Sequence, residues 1–341
     1  MPKTYNGLFE KIYTFENLYS AYLKARRCKR YRKEVLIFSR NVEEELLTLQ
    51  EEISLGTYTT GRYRRFLVFE PKKREISALP FRDRVVHHAI HSIIEPLFER
   101  RFIFDSYGCR VGKGTHAGSA RLVNFLRRAQ RVWGVVYCMK ADISKFFPSV
   151  DHEALKKIIR RTIRCNRTLH LIEEIIDSIP GGKGIPIGNL TSQLFANVYL
   201  DELDHFIKEK LRVKFYIRYM DDFVILNEDK IRLHKWKSDI ETFLKEELRL
   251  NFNAKTSIFP ISQGVDFLGY RTWPTHKLLR KRSVIGMRRK LKKLSERYRK
   301  GTVTLKDIRP VIASWLGHAK HANSYNAVKR VLGGMVFSRS Y

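Results

Sequence analysis

Cysteine is scarce. The 341 residues hold four, at positions 28, 109, 138 and 165, with no CxxC pair. That spacing argues against a thiolate zinc site and against a disulfide framework. No apolar run approaches the roughly 18 residues that a membrane span needs. The opening stretch, MPKTYNGLFEKIYTF, lacks the apolar block of a secretory signal. A cytoplasmic location without membrane contact is the default expectation. Internal repeats and low-complexity tracts are absent as well. Acidic residues almost disappear at the end of the chain: from Pro274 onward, 18 Lys and Arg face only Glu296 and Asp307.

What is present is positive charge and enough apolar material for a core. Lys and Arg number 66 against 35 Asp and Glu, a net +31, and 43% of residues are hydrophobic. Such an excess favours a polyanionic partner. The segment after Pro274 carries about half of it, as expected of a dedicated nucleic-acid grip.

Periodicity places the elements. Residues 9–54 read as two or three helices, with Phe15, Leu18, Tyr22 and Leu23 on one apolar face and Val42, Leu46, Leu47 and Leu49 on another. A strand is expected over 62–70 and helices over 84–98, 116–129, 190–209 and 231–248. Asp151 is a candidate N-cap for a helix that buries Leu155, Ile158 and Ile159. Short strands are expected at 132–143, around Phe252 and Ile258, and from Phe267 to Tyr270. FYIRYMDDFVIL reads as two strands joined by a tight turn at Met220 and Asp221. Met287, Leu291, Leu294 and Tyr298 form one stripe of a helix that is otherwise basic. Hairpins among helices indicate an α+β fold rather than a doubly wound sheet.

Three carboxylates stand in apolar, strand-like surroundings: Asp142 in VVYCMKADISKFF, and the neighbours Asp221 and Asp222. Burying them is costly, and the adjacent pair adds like-charge repulsion. A divalent cation pair removes both costs and suits phosphoryl transfer, so a nucleotidyl transferase is the first expectation. His87, His88 and His91 lack acidic or cysteine partners at ligand spacing. They read as part of a basic helix against nucleic acid.

These segments together resemble the reverse transcriptases. ALPFRDRVVHHAI, DSYGCRVGKGTHAG, KADISKFFPSVDH, GIPIGNLTSQLFANVYLDELD, YIRYMDDFVIL, LNFNAKTSIFP and VDFLGYR follow one another in the order of that family's seven motifs. The resemblance implies a right-hand polymerase. Its parts would be an N-terminal helical extension (1–58), fingers (59–135, with part of them around 152–185), a palm with an antiparallel sheet (136–273) and a basic helical thumb (274–341). It implies that Asp142, Asp221 and Asp222, with the Ile143 carbonyl, hold two Mg²⁺ ions, for which Mn²⁺ can substitute. Lys72, Lys73 and Arg74 would clamp the triphosphate, helped by Lys255. Phe147 would exclude a 2′-hydroxyl and so favour DNA synthesis. Ile187 and Gly188 would lie beside the incoming nucleotide, and Phe267, Leu268 and Gly269 would grip the primer.

Within that family, Ile187 before Gly188 and Gln193 after Ser192 give an IGxxxSQ form similar to the enzymes of diversity-generating retroelements. So are FLGYRTWPTHKLLRKRSV and ASWLGHAKHA. This likeness implies error-prone copying of a template-repeat RNA into cDNA, concentrated at adenines, from a primer and dNTPs. It also implies a small basic pentameric accessory protein as partner. Group II intron and retron enzymes are the near alternatives. A non-catalytic RNA-binding protein of polymerase shape and a two-metal nuclease are the alternatives of other classes.

Overall fold

The computed structural model describes residues 3–69 and 73–338. Lys72, expected at the triphosphate, lies outside them. Four helices open the chain: α1 (Phe9–Tyr13), α2 (Phe15–Ala25), α3 (Lys33–Arg40) and α4 (Val42–Leu55). They pack against α5 (Phe81–Glu99). Leu18, Tyr22, Leu46, Leu49 and Ile53 are buried by that contact. Leu23 and Leu47 are exposed, against the sequence expectation. Each follows a buried residue by one position, a turn of about 100° that carries it off the packed stripe.

Between α4 and α5 lies the hairpin β1 (Arg64–Val68) and β2 (Arg74–Ala78). It is exposed along β1, and its base is tied to the loop before α10 by Ser77 N–H donating to the Ile187 carbonyl at 2.9 Å. Next come α6 (Thr115–Trp133), β3 (Tyr137–Asp142), α7 (Phe146–Ser149), α8 (His152–Arg160), α9 (Asn166–Asp177) and α10 (Leu190–His205). Asp151 caps α8 as expected, accepting from Ala154 N–H at 3.0 Å. The hairpin β4 (Phe215–Tyr219) and β5 (Asp222–Asn227) leads to α11 (Lys230–Glu246) and β6 (Ser257–Pro260).

Strands β3 to β6 form one antiparallel sheet in the order β4-β5-β3-β6. Alternation along the strands gives its faces different fates. Met139, Ala141, Tyr216, Phe223 and Ile225 join the main core with α8, α10 and α11. Cys138, Phe215, Ile217, Val224 and Leu226 join a second core under α6, built with Leu122, Phe125 and Leu126. On that second face, Lys140, Asp142 and Asp222 continue the pattern at one end of the strands.

A three-stranded sheet follows: β7 (Val265–Phe267), β8 (Tyr270–Thr272) and β9 (Lys277–Leu279). The sequence suggested a strand from Phe267 to Tyr270. These two residues instead pair across a turn at Leu268 and Gly269, both with positive φ. Such a two-residue turn matches the strand twist, and Gly269 carries its second left-handed position without penalty. The chain closes with α12 (Lys281–Arg299), α13 (Leu305–Ala319) and α14 (Tyr325–Leu332). Met287, Leu291 and Leu294 are buried on α12, as the stripe required. The fully buried Tyr270 ties the helices to the sheet, its hydroxyl donating to the His318 carbonyl at 2.9 Å. Among the described residues no helix is long and apolar enough to cross a membrane.

Candidate active site

The register of β3 and β5 builds the site. Asp142 is the direct partner of Asp222. Ile143 N–H donates to the Asp221 carbonyl at 3.2 Å, which makes Asp142 and Asp222 a non-hydrogen-bonded pair. Side chains in such pairs share a face and approach more closely than in the bonded kind. The Asp142 carboxylate accepts from Asn253 Nδ2 at 3.1 Å, while Asn253 N–H donates to the Asp142 carbonyl at 2.7 Å. Lys140, two residues before Asp142 on the same face, reaches diagonally to Asp222 Oδ1 at 3.4 Å.

Asp221 occupies the turn, one position off this register. Its carbonyl fixes Ile143, and its side chain does not line the cavity into which Asp142 and Asp222 face. Among the described residues no three His, Cys, Asp or Glu side chains gather closely enough to ring a metal. The register thus sets Asp142 directly opposite Asp222, with Asp221 the adjacent residue in the turn.

Burial raises the Asp222 carboxyl to about 6, with Asp142 adding to the rise and Lys140 and Arg280 opposing it. Asp222 Oδ1 is buried and takes no hydrogen bond, even with the Lys140 ammonium near. Asp222 Oδ1, short of a hydrogen bond, and the Asp142 carboxylate opposite it make an oxygen-only donor set. That set fits Mg²⁺ or Mn²⁺.

The cavity in front measures about 680 Å³. Lys140, Lys255, Arg271, Arg280, Lys281 and Arg282 supply cations around Asp142, Asp222 and Asp266. Of the residues expected at the nucleotide, Lys255 lies here, exposed. Lys73 and Arg74 stand exposed at the β1–β2 hairpin, outside the cavity lining. Phe146 is core, whereas its neighbour Phe147 is half-buried and its carbonyl accepts from Ile185 N–H at 2.9 Å. Ile187 and Gly188 sit under the hairpin. A Cβ on Gly188, whose φ is +131°, would lie 2.8 Å from the Ser77 carbonyl oxygen. Phe267 is fully buried, which leaves the Leu268–Gly269 turn as the accessible part of the expected primer grip.

The turn bearing Asp221 is supported from behind. Met220 has φ +53°, a conformation that favours glycine at the first position of such a turn. Its side chain is buried against Gly108, where a Cβ would come within 2.5 Å of the Met220 sulfur. Arg218 Nη1 donates to the Met220 carbonyl at 3.2 Å and to Asn197 Oδ1 at 3.3 Å. The same guanidinium forks onto Asp204 at 2.7 and 2.5 Å, and Tyr216 O–H donates to Asp204 at 2.6 Å. The sequence reading missed this network and Lys140. The i−2 spacing from Asp142 pointed to Lys140; nothing local marks Arg218 as buried. His87, His88 and His91 also depart from the expected basic face. Burial holds them down at about 3, 4 and 4, so they are neutral at pH 7 and do not form a basic face.

Comparison with known proteins gives this geometry a family. A model described as "Reverse transcriptase (RNA-dependent DNA polymerase)" matches residues 70–272. The chain is similar to Protein YkfC of Escherichia coli (strain K12), 28% identical over 287 residues, covering 71% of this chain and 73% of that one. It is also similar to the Group II intron-encoded protein LtrA of Lactococcus lactis subsp. cremoris, 23% identical over 304 residues. That match covers 67% of this chain and 49% of LtrA, so the chain spans about half the length of that relative. Among solved structures, telomerase from Candida tropicalis in complex with a TWJ fragment of telomeric RNA has the same fold. Its TM-score is 0.52 at 14% identity, over 80% of this chain and 55% of that one. The family match covers more than half of the sequence and includes both sheet carboxylates. This chain belongs to the reverse transcriptases, the RNA-dependent DNA polymerases built on a right-hand α+β fold.

Proposed function

We propose that this chain is the RNA-directed DNA polymerase of a diversity-generating retroelement. It would copy a template-repeat RNA into cDNA with errors concentrated at adenines. The observation that carries the polymerase chemistry is the Asp142–Asp222 pair facing a cavity rich in Lys and Arg. In this reading Asp142 and Asp222, with the Ile143 carbonyl and Asp221, hold two Mg²⁺ ions. When bound, such ions lower the pKa of the primer 3′-hydroxyl and neutralise charge on the triphosphate. Lys255, Lys72, Lys73 and Arg74 hold the phosphates and offset the charge that develops on pyrophosphate. Phe147 blocks a ribose 2′-hydroxyl, and the Leu268–Gly269 turn, backed by Phe267, seats the primer end. The boundaries 1–58, 59–135, 136–273 and 274–341 divide extension, fingers, palm and thumb.

The retroelement subtype rests on the IGxxxSQ form, in which Ile187 stands where an amide would be expected. Ile187 can neither donate nor accept a hydrogen bond to the incoming nucleotide. Discrimination depends on interactions that differ between right and wrong pairs, so losing one loosens selection. A small basic pentameric accessory protein completes the reading. A group II intron-type enzyme is the second reading, favoured by the similarity to LtrA.

Primer extension on a defined RNA template with Mg²⁺ and four dNTPs, followed by sequencing of the product, tests both levels. Extension with clustered errors opposite adenine, reduced by Ile187→Gln, is the expected result. Extension with uniformly low error would leave the polymerase and remove the subtype. RNA binding without any product would point to a non-catalytic protein.

A further inference from the structure

The loop between α9 and α10 is rich in glycine. Gly181, Gly182, Gly184 and Gly188 all have positive φ, and Ile187 lies among them. Glycine backbone loses the most entropy when it is fixed, so such a loop needs fastening from outside. The segment 147–152 supplies it. Gly184 N–H donates to the Val150 carbonyl at 2.7 Å, Ile185 N–H to the Phe147 carbonyl at 2.9 Å, and His152 N–H meets the Gly182 carbonyl at 3.0 Å. A Cβ on Gly184 would stand 3.3 Å from the Pro148 carbonyl oxygen, so the two segments touch. Phe147 and Ile187 therefore lean on one strip of backbone.

The His152 side chain clamps that strip. It is buried at the start of α8, 1% exposed. Its Nε2 lies 2.8 Å from the Gly184 carbonyl oxygen and its Nδ1 3.2 Å from Asp177 Oδ1. A carbonyl and a carboxylate only accept, so both ring nitrogens donate. Asp177, half-exposed at the end of α9, is held in turn by Lys156, whose ammonium donates to its other oxygen at 2.8 Å. Lys156 also pairs with Glu153 at 3.0 Å. The contacts thus run from the surface through the imidazole to Gly184. His152, Asp177 and Lys156 lie outside the lining of the cavity at Asp142 and Asp222.

We propose that His152 is a positioning residue for sugar selection. Its bond to Gly184 fixes the strip, and the bond from Ile185 fixes the Phe147 backbone against it. Phe146, next in the chain, is core and anchors the other side. The half-buried Phe147 ring is then held where a 2′-hydroxyl would meet it. The assignment rests on the reading of Phe147 as the sugar gate. A steric gate works only at a fixed distance, since a displacement of about 1 Å changes reactivity up to about 10²-fold. Groups that touch the substrate are held to that precision by bonds to residues behind them.

The test uses the full chain and single-nucleotide addition to a DNA primer on RNA, with dGTP or GTP opposite a template cytosine. Two variants separate the two ring nitrogens. In His152→Gln the side-chain amide reaches the position of Nε2 and keeps the donor to Gly184. In His152→Asn it reaches only that of Nδ1 and keeps the contact with Asp177. His152→Asn should raise kcat/KM for GTP about 3- to 10-fold, the size of one coupled hydrogen bond, and leave that for dGTP within about twofold of wild type. His152→Gln should stay near wild type on both nucleotides. Lost stability alone lowers both rates together, so a gain on the ribonucleotide is not a folding effect. His152→Asn should add nothing to Phe147→Ala, where the gate is already gone. Unchanged discrimination in His152→Asn, equal relaxation in both variants, or full additivity with Phe147→Ala would overturn the proposal. Should His152→Asn fail to fold, Asp177→Ala at its half-exposed position should relax discrimination about twofold, and no relaxation there would overturn it as well. Failure of the gate reading would appear separately, as a Phe147→Ala variant that selects sugars like wild type.

Discussion

Two acid–base pairs sit on opposite faces of the β4–β5 hairpin and behave differently. Asp204 and Arg218 lie on the core face with no solvent exposure. Both oxygens of Asp204 are used: Oδ1 accepts from Tyr216 O–H and Arg218 Nε, and Oδ2 from Arg218 Nη2. Asp222 and Lys140 lie on the other face, half-buried at the cavity, and Asp222 Oδ1 takes no hydrogen bond. The same charge types thus serve different ends. A carboxylate whose acceptors are all satisfied fixes the turn, and one left short of partners is available to a ligand.

The largest effect should come from the open pair. Asp222→Ala or Asp142→Ala should lower primer extension by more than about 10³-fold, as loss of a principal electrostatic group does. Template-primer affinity should stay within about threefold of wild type, because phosphate contacts elsewhere supply it. Parallel extension and binding assays separate the two effects. A variant with normal synthesis would merge the two pairs into one structural class.

The sealed pair should act on stability instead. Arg218→Met leaves Asp204 buried and uncompensated, so urea unfolding should show a loss of about 3–5 kcal/mol. Adding Asp204→Leu should recover most of it, since replacing both charges is often neutral. If the single variant is as stable as wild type, the network is not what holds the turn.

The same contrast recurs one residue apart at Phe146 and Phe147. Phe146 is 2% exposed and Phe147 half-buried, with ring centroids 5.5 Å apart. Phe147→Ala should relax discrimination against ribonucleotides on the order of 10- to 100-fold, read as the ratio of kcat/KM for dNTP and rNTP. Phe146→Ala should instead destabilise by about 3–5 kcal/mol. Equal discrimination in wild type and Phe147→Ala would remove the gate assignment.

His205 gives an intermediate case and the smallest effect. Its Nδ1 lies 2.6 Å from Glu209 and its Nε2 3.5 Å from Asp201. The interaction with Asp201, and then that with Glu209, raises it from about 6.5 to about 10. The folded state thus favours the protonated ring. Its stabilisation is full below pH 6.5 and is lost as pH rises toward 10. The ring is about one-third exposed, so solvent screening should keep the effect below about 1 kcal/mol. Thermal melts of wild type and His205→Gln should converge near pH 10 and differ most near pH 6. Parallel curves across that range would contradict the assignment.

Much of the palm sheet was legible in the sequence. Near-continuous apolar runs before Asp142 and on either side of the turn in FYIRYMDDFVIL specify strands buried on both faces, and the two-residue turn follows from their spacing. The basic amphipathic α12 was legible for the same reason. Other features depend on which elements meet in space. Arg218 reads as an ordinary polar strand residue until α10 brings Asp204 and Asn197 beneath it. The three histidines of α5 looked basic because burial under neighbouring helices is invisible in the sequence. Leu23 and Leu47 were placed inside because an apolar residue next to a buried one carries no mark of its face. The choice between Phe146 and Phe147, and the opposition of Asp142 to Asp222 rather than Asp221, are matters of register that only pairing decides.

The most direct test of the central claim is Mn²⁺ titration followed by electron paramagnetic resonance, with the chain bound to primer-template and a non-extendable nucleotide. Wild type should immobilise Mn²⁺ at two sites, and Asp142→Asn/Asp222→Asn should immobilise none at comparable concentration. Undiminished Mn²⁺ binding in the double variant would contradict the assignment of these two carboxylates as the cation-holding pair.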